Sequence, residues 1–236
     1  MTARGYKKAR VSDTISIVAH QLKNPISVLH GYLEVLASEE LGKLNKKQKE
    51  YLSDALKNVE VISEIIKDLL DVSRIEEGKY KIKPKVVDLK KICKEIIKSF
   101  SPWARASNCE IVFNASPKLP NVYVDPSKIR YVVGNLISNA VMYKPPGPAK
   151  VEVELKKKDN KVVFICKDNG IGISKKDFSK IFSKFFRSEE AITLNPSGTG
   201  LGLYISKAII KLSGGEIWFK KNRNKGMTFY FTLPTA

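Results

Sequence analysis

The stretch VSDTISIVAHQLKNPISVLHGYLEVL, residues 11–36, has apolar residues at steps of three and four. These residues are Val11, Ile15, Val18, Leu22, Ile26, Leu29, Leu33 and Leu36. Spacing of this kind places the apolar side chains along one stripe of a helix and is typical of a coiled-coil seam. The stretch therefore predicts one long amphipathic helix.

A second apolar series follows a short polar segment that contains Gly42. It consists of Leu52, Ala55, Val59, Ile62, Ile66 and Leu69, with further apolar residues outside it at Leu56, Ile65 and Leu70. One helical hairpin cannot bury two apolar stripes by itself, whereas two hairpins packed together can. The pattern predicts an all-α hairpin that forms a dimeric four-helix bundle, and hence a homodimer.

Gly78 and Pro84 interrupt the helical period in a basic segment. We therefore expect a linker over residues 79–88, between a helical domain at 1–78 and a second domain at 89–236. In the second domain helical and strand patterns alternate, which predicts an α/β sandwich with a mostly antiparallel or mixed sheet. The expected elements are a helix at Leu89–Phe100, strands at Glu110–Asn114 and Val122–Val124, a helix opened by Asp125 and Pro126, a hairpin of Val151–Lys157 and Lys161–Lys167, a helix from about Leu201, and a closing hairpin of Glu216–Phe219 and Met227–Leu233.

The charge balance is strongly basic, because 42 Lys and Arg residues stand against 24 Asp and Glu residues, a formal net charge of +18. Such charge can solvate helix faces, attract an acidic protein or bind phosphate. Because the lysines are scattered rather than gathered in one arm, no nucleic-acid partner is expected.

The three cysteines, Cys93, Cys109 and Cys166, lack metal-ligand or redox spacing and fit a reducing compartment. With no apolar run of membrane-spanning length and no signal peptide, we expect a cytoplasmic location. Any membrane attachment would come through a missing N-terminal part.

His20 lies two residues from both Val18 and Leu22, so on a helix it points away from the apolar stripe into solvent. An unprotonated imidazole nitrogen there could attack a phosphoryl group. Gln21 supplies a hydrogen-bond acceptor beside the ring, and Pro25 would kink the helix one turn later. Taken alone, a surface histidine without a function is the commoner case.

Asn135 and Asn139 stand four residues apart on one predicted helix. Two carboxamides on one helix face can present oxygens to a hydrated Mg²⁺ ion, which keeps waters and substrate phosphates as its other ligands. Tyr143, one turn further on, could stack on a purine. Without other evidence, paired asparagines are more often capping or polar core residues.

Two glycine-rich segments follow. In Asp168-Asn169-Gly170-Ile171-Gly172, an aspartate at a strand end could accept a hydrogen bond from an exocyclic amine such as adenine N6, while the glycines let backbone approach a ligand. Gly198-Thr199-Gly200-Leu201-Gly202-Leu203 opens a helix, whose N-terminal amides suit phosphate. Each segment alone also fits an ordinary turn.

The segment Phe182-Ser183-Lys184-Phe185-Phe186-Arg187 lies between these two glycine-rich segments. Aromatic residues inside a polar, glycine-flanked loop fit a hinged lid that closes over a nucleotide. A short amphipathic helix that packs on the core fits the same pattern equally well.

In this order, the segments closely resemble the transmitter region of two-component sensor histidine kinases. The matching segments are Val18–Pro25 for the H-box, Asn135–Ala140 for the N-box, Asp168–Ile173 for the first glycine box, Phe182–Arg187 for the F-box, Gly198–Leu203 for the second glycine box and Gly226–Phe229 for the closing strand. Each box is weak alone, but their shared order and distances cover nearly the whole chain.

The resemblance implies a dimerisation and histidine-phosphotransfer bundle followed by a Bergerat-type ATP-binding domain, with ATP and Mg²⁺ as cofactors. His20 would take a phosphoryl group from ATP and pass it to an aspartate on the receiver domain of a response regulator. Lys-rich surfaces here would suit an acidic receiver. The chain would then be a cytoplasmic kinase or the cytoplasmic portion of a membrane-bound sensor.

The resemblance also implies residue roles. Asn139 would ligand Mg²⁺, Asn135 would approach the phosphates and Asp168 would read adenine. Lys184 and Arg187 would stabilise charge on the transferring phosphoryl group. The other residues implied in nucleotide binding are Tyr143, Gly170, Gly172, Ile173, Phe185, Gly198, Thr199, Gly200, Leu201, Gly202 and Leu203, and the residues implied in catalysis are His20, Gln21 and Asn24.

Two positions depart from the family pattern. Gln21 stands where Glu or Asp is usual, and an amide accepts a hydrogen bond but cannot take up a proton. Met142 stands near a position where a basic residue is usual, and helix geometry turns Lys144 away from that face.

Both departures favour an alternative, a nucleotide-binding scaffold or phosphatase, in which Asn24 would position a water one turn after His20. A third hypothesis is a DNA-interacting ATPase that shares the pocket, and the heptad hairpin with its embedded histidine argues against it.

Overall fold

A computed structural model describes the backbone of residues 3–236 and the side chains from Ile17 onward. Val11 and Ile15 of the predicted seam therefore lie outside the described side chains. The chain divides into two compact units, one ending at Tyr80 and the other beginning at Lys81. Within the described residues, no helix is both long enough and apolar enough to cross a membrane.

The first unit is a helical hairpin, as the sequence predicts. Its helices are α1, Ala3–Ala37, and α2, Lys46–Glu76, and α1 continues through Pro25 without ending. A capping box begins α2: Asn45 Oδ1 accepts from the Gln48 N–H at 2.9 Å, and Gln48 Oε1 accepts from the Asn45 N–H at 2.8 Å. These bonds satisfy backbone donors that the first helical turn leaves free.

The apolar seam of α1 contains both half-buried and exposed residues. Ile26 and Leu33 are half-buried. Four others keep between 43% and 47% of their surface exposed: Val18, Leu22, Leu29 and Leu36. In α2, Val59 and Ile66 are buried, but Ile62 remains 41% exposed. A single hairpin therefore leaves a continuous part of its predicted seam in contact with water.

The second unit contains the remaining helices and all the strands. Its helices are α3, Leu89–Ala106, α4, Pro126–Met142, α5, Glu189–Leu194, and α6, Gly202–Leu212. Its strands are β1, Lys85–Val87, β2, Cys109–Ala115, β3, Val122–Val124, β4, Ala149–Lys158, β5, Lys161–Asp168, β6, Ile217–Lys221, and β7, Met227–Pro234. A single 3₁₀ turn spans Lys175–Asp177 within the part of the chain that the structure describes.

Five strands form one sheet in the order β2-β4-β5-β7-β6. The β2–β4 pair is parallel and the other pairs are antiparallel, so the predicted mixed sheet is confirmed. Buried side chains alternate along β4 and β5, on which α4 packs, while α3 packs on β2 and α6 on β6 and β7. At the centre, Phe164 and Phe231 are fully buried and stack with ring centroids 4.5 Å apart.

All three cysteines are buried free thiols. Burial raises the pKa of Cys93 to about 12 and also raises the pKa of Cys166. These thiols are therefore protonated core residues, which agrees with the inert role expected from their spacing.

Two boundaries differ from the sequence expectation. The expected linker, residues 79–88, contains β1, which pairs antiparallel with β3 of the second unit. Helix α3 continues past Phe100 and through Pro102 to Ala106. Ala104 is buried, and Trp103 packs on Phe100 with ring centroids 5.8 Å apart, so packing maintains the helix beyond the proline.

Candidate functional site

His20 lies on α1, and its side chain is exposed, as its spacing predicts. Gln21 and Asn24 are exposed as well. Because Pro25 has no N–H, it cannot donate to the carbonyl of Gln21 as an ordinary helical residue would. Close by, the hydroxyl of Ser27 donates to the carbonyl of Lys23 at 2.9 Å. The first unit thus presents an imidazole and two amides to solvent on one helix.

The other predicted site residues belong to the second unit, where α4 and α6 bring two amides together. Asn139 Nδ2 donates to Asn135 Oδ1 at 3.4 Å, and Asn135 Nδ2 donates to the buried hydroxyl of Ser206 on α6 at 3.0 Å. Asn135 therefore has both ends of its amide engaged. Asn139 Oδ1 has no donor among the described residues, so its lone pairs are available for a ligand.

This amide oxygen suits Mg²⁺, a hard ion that needs few protein ligands when phosphates and waters supply the rest. Among the described residues, no group of three or more His, Cys, Asp or Glu side chains could hold a metal by itself. The donor set at Asn139 thus fits an ion that arrives together with a phosphorylated substrate.

Asp168 ends β5 and has a different environment for each of its carboxylate oxygens. Oδ1 accepts from the Gly170 N–H at 2.8 Å and from the Met227 N–H at 3.1 Å. Oδ2 has no hydrogen-bond partner among the residues that the structure describes. Burial raises the pKa of Asp168, although the two N–H donors act in the opposite direction. One oxygen is fixed by the fold, and the other is open to a ligand donor.

Asn222, in the turn between β6 and β7, was not singled out by the sequence. Its Nδ2 donates to the backbone carbonyl of Asp168 at 2.8 Å, and its Oδ1 accepts from the Thr228 hydroxyl at 2.6 Å. Asn222 thereby ties the turn to the end of β5. The only sequence signal is an asparagine in a polar turn, which does not reveal what its side chain contacts.

Around Asp168 and Asn135, three glycines lie where a side chain would not fit. A Cβ atom on Gly170 would collide with the carbonyl oxygen of Tyr143, and one on Gly202 would collide with the Asn135 amide. A Cβ on Gly226 would collide with the carbonyl of Asp168. The first two glycines belong to the predicted boxes, and all three allow close approach around Asp168 and Asn135.

The second glycine box leads into α6. Gly202 begins the helix, Leu201 is fully buried, and Thr199 Oγ1 accepts from the Leu201 N–H at 3.2 Å. No acidic residue stands in the first turn of α6. Its first N–H groups have no partner within the helix and lie at the positive end of the helix dipole, an arrangement that suits phosphate.

The predicted lid, Phe182–Arg187, contains no helix, so the alternative of a short amphipathic helix is wrong. Phe182 packs on Phe219 with ring centroids 6.1 Å apart, while Phe185 is 49% exposed with a backbone φ of +62°. Lys184 is half-buried. The guanidinium of Arg187 bonds to backbone carbonyls of its own loop rather than extending into open space.

Tyr143 and Ile173 are half-buried, and so is Gly172. Tyr143 caps the C-terminus of α4, and its carbonyl accepts from the Ile171 N–H at 3.0 Å. This bond joins the first glycine box to the helix that carries Asn135 and Asn139. Leu203 follows in the first turn of α6 and is half-buried.

Comparison with known proteins assigns both units to known domains. Residues 10–78 match the family model of the His Kinase A (phospho-acceptor) domain. Residues 124–236 match the model of the histidine kinase-, DNA gyrase B- and HSP90-like ATPases. The sensor histidine kinase WalK of Bacillus subtilis is 31% identical to this chain over 225 residues. This chain belongs to the sensor histidine kinase family.

Other histidine kinases align over a similar range. WalK of Staphylococcus aureus is 30% identical over 94% of this chain and 53% of its own length. BarA of Escherichia coli is 28% identical over 98% of this chain and 25% of its own length. For the Bacillus subtilis protein the shares are 94% and 36%. The chain thus spans between a quarter and about half of the length of these histidine kinases.

Solved structures of histidine kinases have the same fold. The nucleotide-free catalytic domain of the histidine kinase ThkA is 28% identical with a TM-score of 0.58, over 65% of this chain and 99% of that domain. Full-length ShkA in complex with AMPPNP is 23% identical with a TM-score of 0.77, over 95% of this chain and 46% of ShkA. The resemblance to the histidine kinase transmitter region is confirmed.

Proposed function

We propose that this chain uses ATP to phosphorylate His20 and then transfers the phosphoryl group to an aspartate on the receiver domain of a response regulator. The observation that carries the proposal is the open Oδ2 of Asp168. This carboxylate oxygen has no protein donor and lies in a half-buried site, so an exocyclic amine such as adenine N6 would supply the missing hydrogen bond.

The residues of the second unit would then bind ATP from one end to the other. Asp168 accepts from the base, the first N–H groups of α6 bind phosphate oxygens, and Asn139 Oδ1 is the protein ligand for Mg²⁺. Mg²⁺ held there would neutralise the charge of the phosphates. Asn135 does not contact the phosphates in this arrangement, because both ends of its amide are hydrogen-bonded, to Asn139 and to Ser206.

At His20 an unprotonated ring nitrogen attacks the γ-phosphorus. A P–N bond forms as the bond from the γ-phosphorus to the bridging oxygen breaks, and ADP leaves. The amide of Gln21 can accept a hydrogen bond from the ring N–H and hold its orientation, but it cannot take up the proton. The proton therefore passes to water, and we expect phosphorylation to be slower than in a Gln21→Glu variant.

We also propose that the active form is a homodimer. The exposed part of the α1 seam, Val18, Leu22, Leu29 and Leu36, is a row of large aliphatic side chains that a second hairpin would cover. Leu29→Glu would place a charge in that row and is expected to give monomers by light scattering. Lys23→Glu, an exposed substitution on the same helix, is the matched control and should leave the mass unchanged.

One labelling experiment tests the kinase proposal. The protein is incubated with γ-labelled ATP and Mg²⁺ beside His20→Ala, Asn139→Ala and the control His30→Ala, whose ring pairs with Glu34 at 3.3 Å. We expect an acid-labile, alkali-stable label in the wild type and in His30→Ala only. Measurable ATP binding without any label on the wild type would refute the kinase.

A phosphatase activity toward the regulator is a second proposal, supported by Asn24. This exposed amide lies one helical turn after His20, where it can position a water beside a docked aspartyl phosphate. Asn24→Ala is expected to slow the loss of label from a phosphorylated receiver while leaving labelling of His20 intact. If the receiver lost its label equally fast with the wild type and with Asn24→Ala, the proposed role of Asn24 in a phosphatase activity would be refuted.

A further inference from the structure

Arg187 is the centre of a hydrogen-bond network made only with backbone. Its Nη1 donates to the carbonyls of Pro196 at 3.1 Å and Gly198 at 2.8 Å. Its Nη2 donates to the carbonyl of Ala191 at 2.7 Å and to that of Asn195. Four carbonyls of one loop therefore converge on a single guanidinium.

Both terminal nitrogens of the guanidinium are used in these hydrogen bonds. It forms no ion pair with a carboxylate of the described residues, and its Nε is buried without a hydrogen-bond partner there. Turning Arg187 toward a phosphate would break its four bonds. Among the described residues, the carbonyls of Ala191 and Asn195 would keep a backbone donor, while those of Pro196 and Gly198 would lose the only one they have. Three of the four bonds are part-buried, and losing several such bonds at once costs free energy, so the network favours the arrangement seen.

The network adjoins the phosphate end of the proposed ATP site. A Cβ on Gly198 would come within 3.2 Å of Arg187 Cζ, and a Cβ on Gly200 within 3.1 Å of Arg187 Cγ. Gly200 has a φ of +70° and stands two residues before α6 begins at Gly202. The arginine thus sets the path by which the chain enters the phosphate-binding helix terminus.

A second contact links the network to α4. Asn195, whose carbonyl accepts from Arg187, donates from its side-chain Nδ2 to Met142 Sδ at 2.7 Å. Met142 ends α4, three residues after Asn139. The residue that departs from the family pattern therefore contacts the loop that Arg187 organises.

We propose that Arg187 is a positioning residue, which holds residues 191–200 as a preformed wall of the phosphate site, and that it does not act on the transferring phosphoryl group. This inference rests on the proposed ATP site. It predicts that Arg187 matters for every nucleotide that uses the α6 terminus, whether or not a γ-phosphate is present. A residue that stabilises the transferring group would instead distinguish ATP from ADP.

The test uses the whole chain with Arg187→Gln and Arg187→Lys. Affinities for ADP and for ATP are measured by displacement of a fluorescent nucleotide, and the rate of His20 labelling is measured at saturating ATP. Both affinities are expected to fall together, by roughly tenfold or more, while the saturated rate changes by less than about threefold. Lysine is expected not to rescue, since an ammonium cannot span four carbonyls.

The matched control is Arg130→Gln, an exposed arginine of the same unit that pairs with Glu95 and leaves the loop untouched. A second readout needs no nucleotide: hydrogen exchange of residues 188–200 is expected to be faster in Arg187→Gln than in the wild type and in the control. Unchanged exchange in that loop would overturn the inference.

The inference would also be overturned if Arg187→Gln left the ADP affinity unchanged but greatly slowed His20 labelling at saturating ATP. Arg187 would then act on the transferring phosphoryl group. Failure of the proposed function is distinguishable, because the wild type would then show neither nucleotide binding nor label, while the exchange measurement would still report on Arg187.

Discussion

The backbone N–H of Met227 donates to Oδ1 of Asp168 at 3.1 Å, across 59 positions of the chain. The first residue of β7 thereby fixes the carboxylate at the end of β5. Because the Gly170 N–H donates to the same oxygen, Oδ1 is saturated and the carboxylate plane is held. The fold thus orients Oδ2 without using it.

Asp168→Asn is expected to weaken ADP binding by roughly tenfold to a hundredfold, because a charge-assisted hydrogen bond to the base is lost. The same change is expected to raise the Tm of the nucleotide-free protein at pH 8. Burial raises the pKa of Asp168, so its ionised form destabilises the native state above the folded pKa.

The difference in Tm between Asp168→Asn and wild type should therefore shrink as the pH falls through the folded pKa, where the wild-type carboxyl takes up its proton. Calorimetry from pH 8 to pH 4 measures this trend. Asp159→Asn, in the exposed β4–β5 turn, is the control and should show neither effect. A Tm difference that grows on acidification would contradict the burial argument.

Asn222→Ala is expected to reduce ADP affinity by roughly threefold to tenfold, although Asn222 is not assigned a contact with the nucleotide. Without its bond to the Asp168 carbonyl, the β6–β7 turn holds Met227 less firmly against the carboxylate. Asn224→Ala, an exposed change in the same turn, is the control. Isothermal titration of ADP into both variants measures the effect, and equal affinities would show that the tie is dispensable.

Gly170→Ala is expected to lower the free energy of unfolding of the second unit by about 1–3 kcal/mol and to abolish ADP binding, because its Cβ meets the Tyr143 carbonyl. Gly134→Ala on α4 meets nothing closer than 3.8 Å, and the lower backbone entropy of alanine should make it neutral or stabilising. Urea titration compares the two. A similar loss of unfolding free energy in the two variants would argue against a collision between the new Cβ at position 170 and the Tyr143 carbonyl.

Asp125→Ala is expected to destabilise the second unit by about 1–3 kcal/mol. Burial raises the pKa of Asp125, but hydrogen bonds from the Lys83, Ser127 and Lys128 N–H groups and the Ser127 hydroxyl outweigh it and hold the pKa below its ordinary value. A lowered pKa contributes stability above about pH 4, and that contribution disappears as the pH falls through the folded pKa.

The stability gap between wild type and Asp125→Ala should therefore narrow in acid, as urea midpoints at pH 7 and pH 3 would show. Asp88→Ala removes the cap of α3, where the Asp88 carboxylate accepts a single bond from the Lys91 N–H. This change should lower the free energy of unfolding by less than Asp125→Ala does. Equal costs at the two caps would mean that the bond from Lys83 across to Asp125 adds nothing.

Much of this architecture could be predicted because it follows from local periodicity. The helix positions of Ile26 and Leu33 and the alternation along β4 follow from which face is apolar, a property of neighbouring residues. The asparagines and glycines of the site could be recognised because each carries its own signal, an amide or the absence of a side chain.

The role of Arg187 could not be predicted in the same way. Its partners are backbone carbonyls of Ala191, Asn195, Pro196 and Gly198, and every residue has a carbonyl, so no sequence pattern marks them. The contact of Asn222 with Asp168 depends likewise on sheet order rather than on local sequence. The pairing of β1 with β3 could not be predicted because both strands are only three residues long.

The last strand of the chain lies near the middle of the sheet, between β5 and β6. During synthesis, α4 and the turn after β5 emerge well before β7, yet the Met227 N–H that saturates Asp168 arrives only with that strand. A nascent or truncated chain without β7 therefore carries both glycine boxes but lacks one of the two N–H donors that fix the Asp168 carboxylate. If Asp168 binds the base as proposed, nucleotide affinity is expected to reach its full value only once β7 is in place.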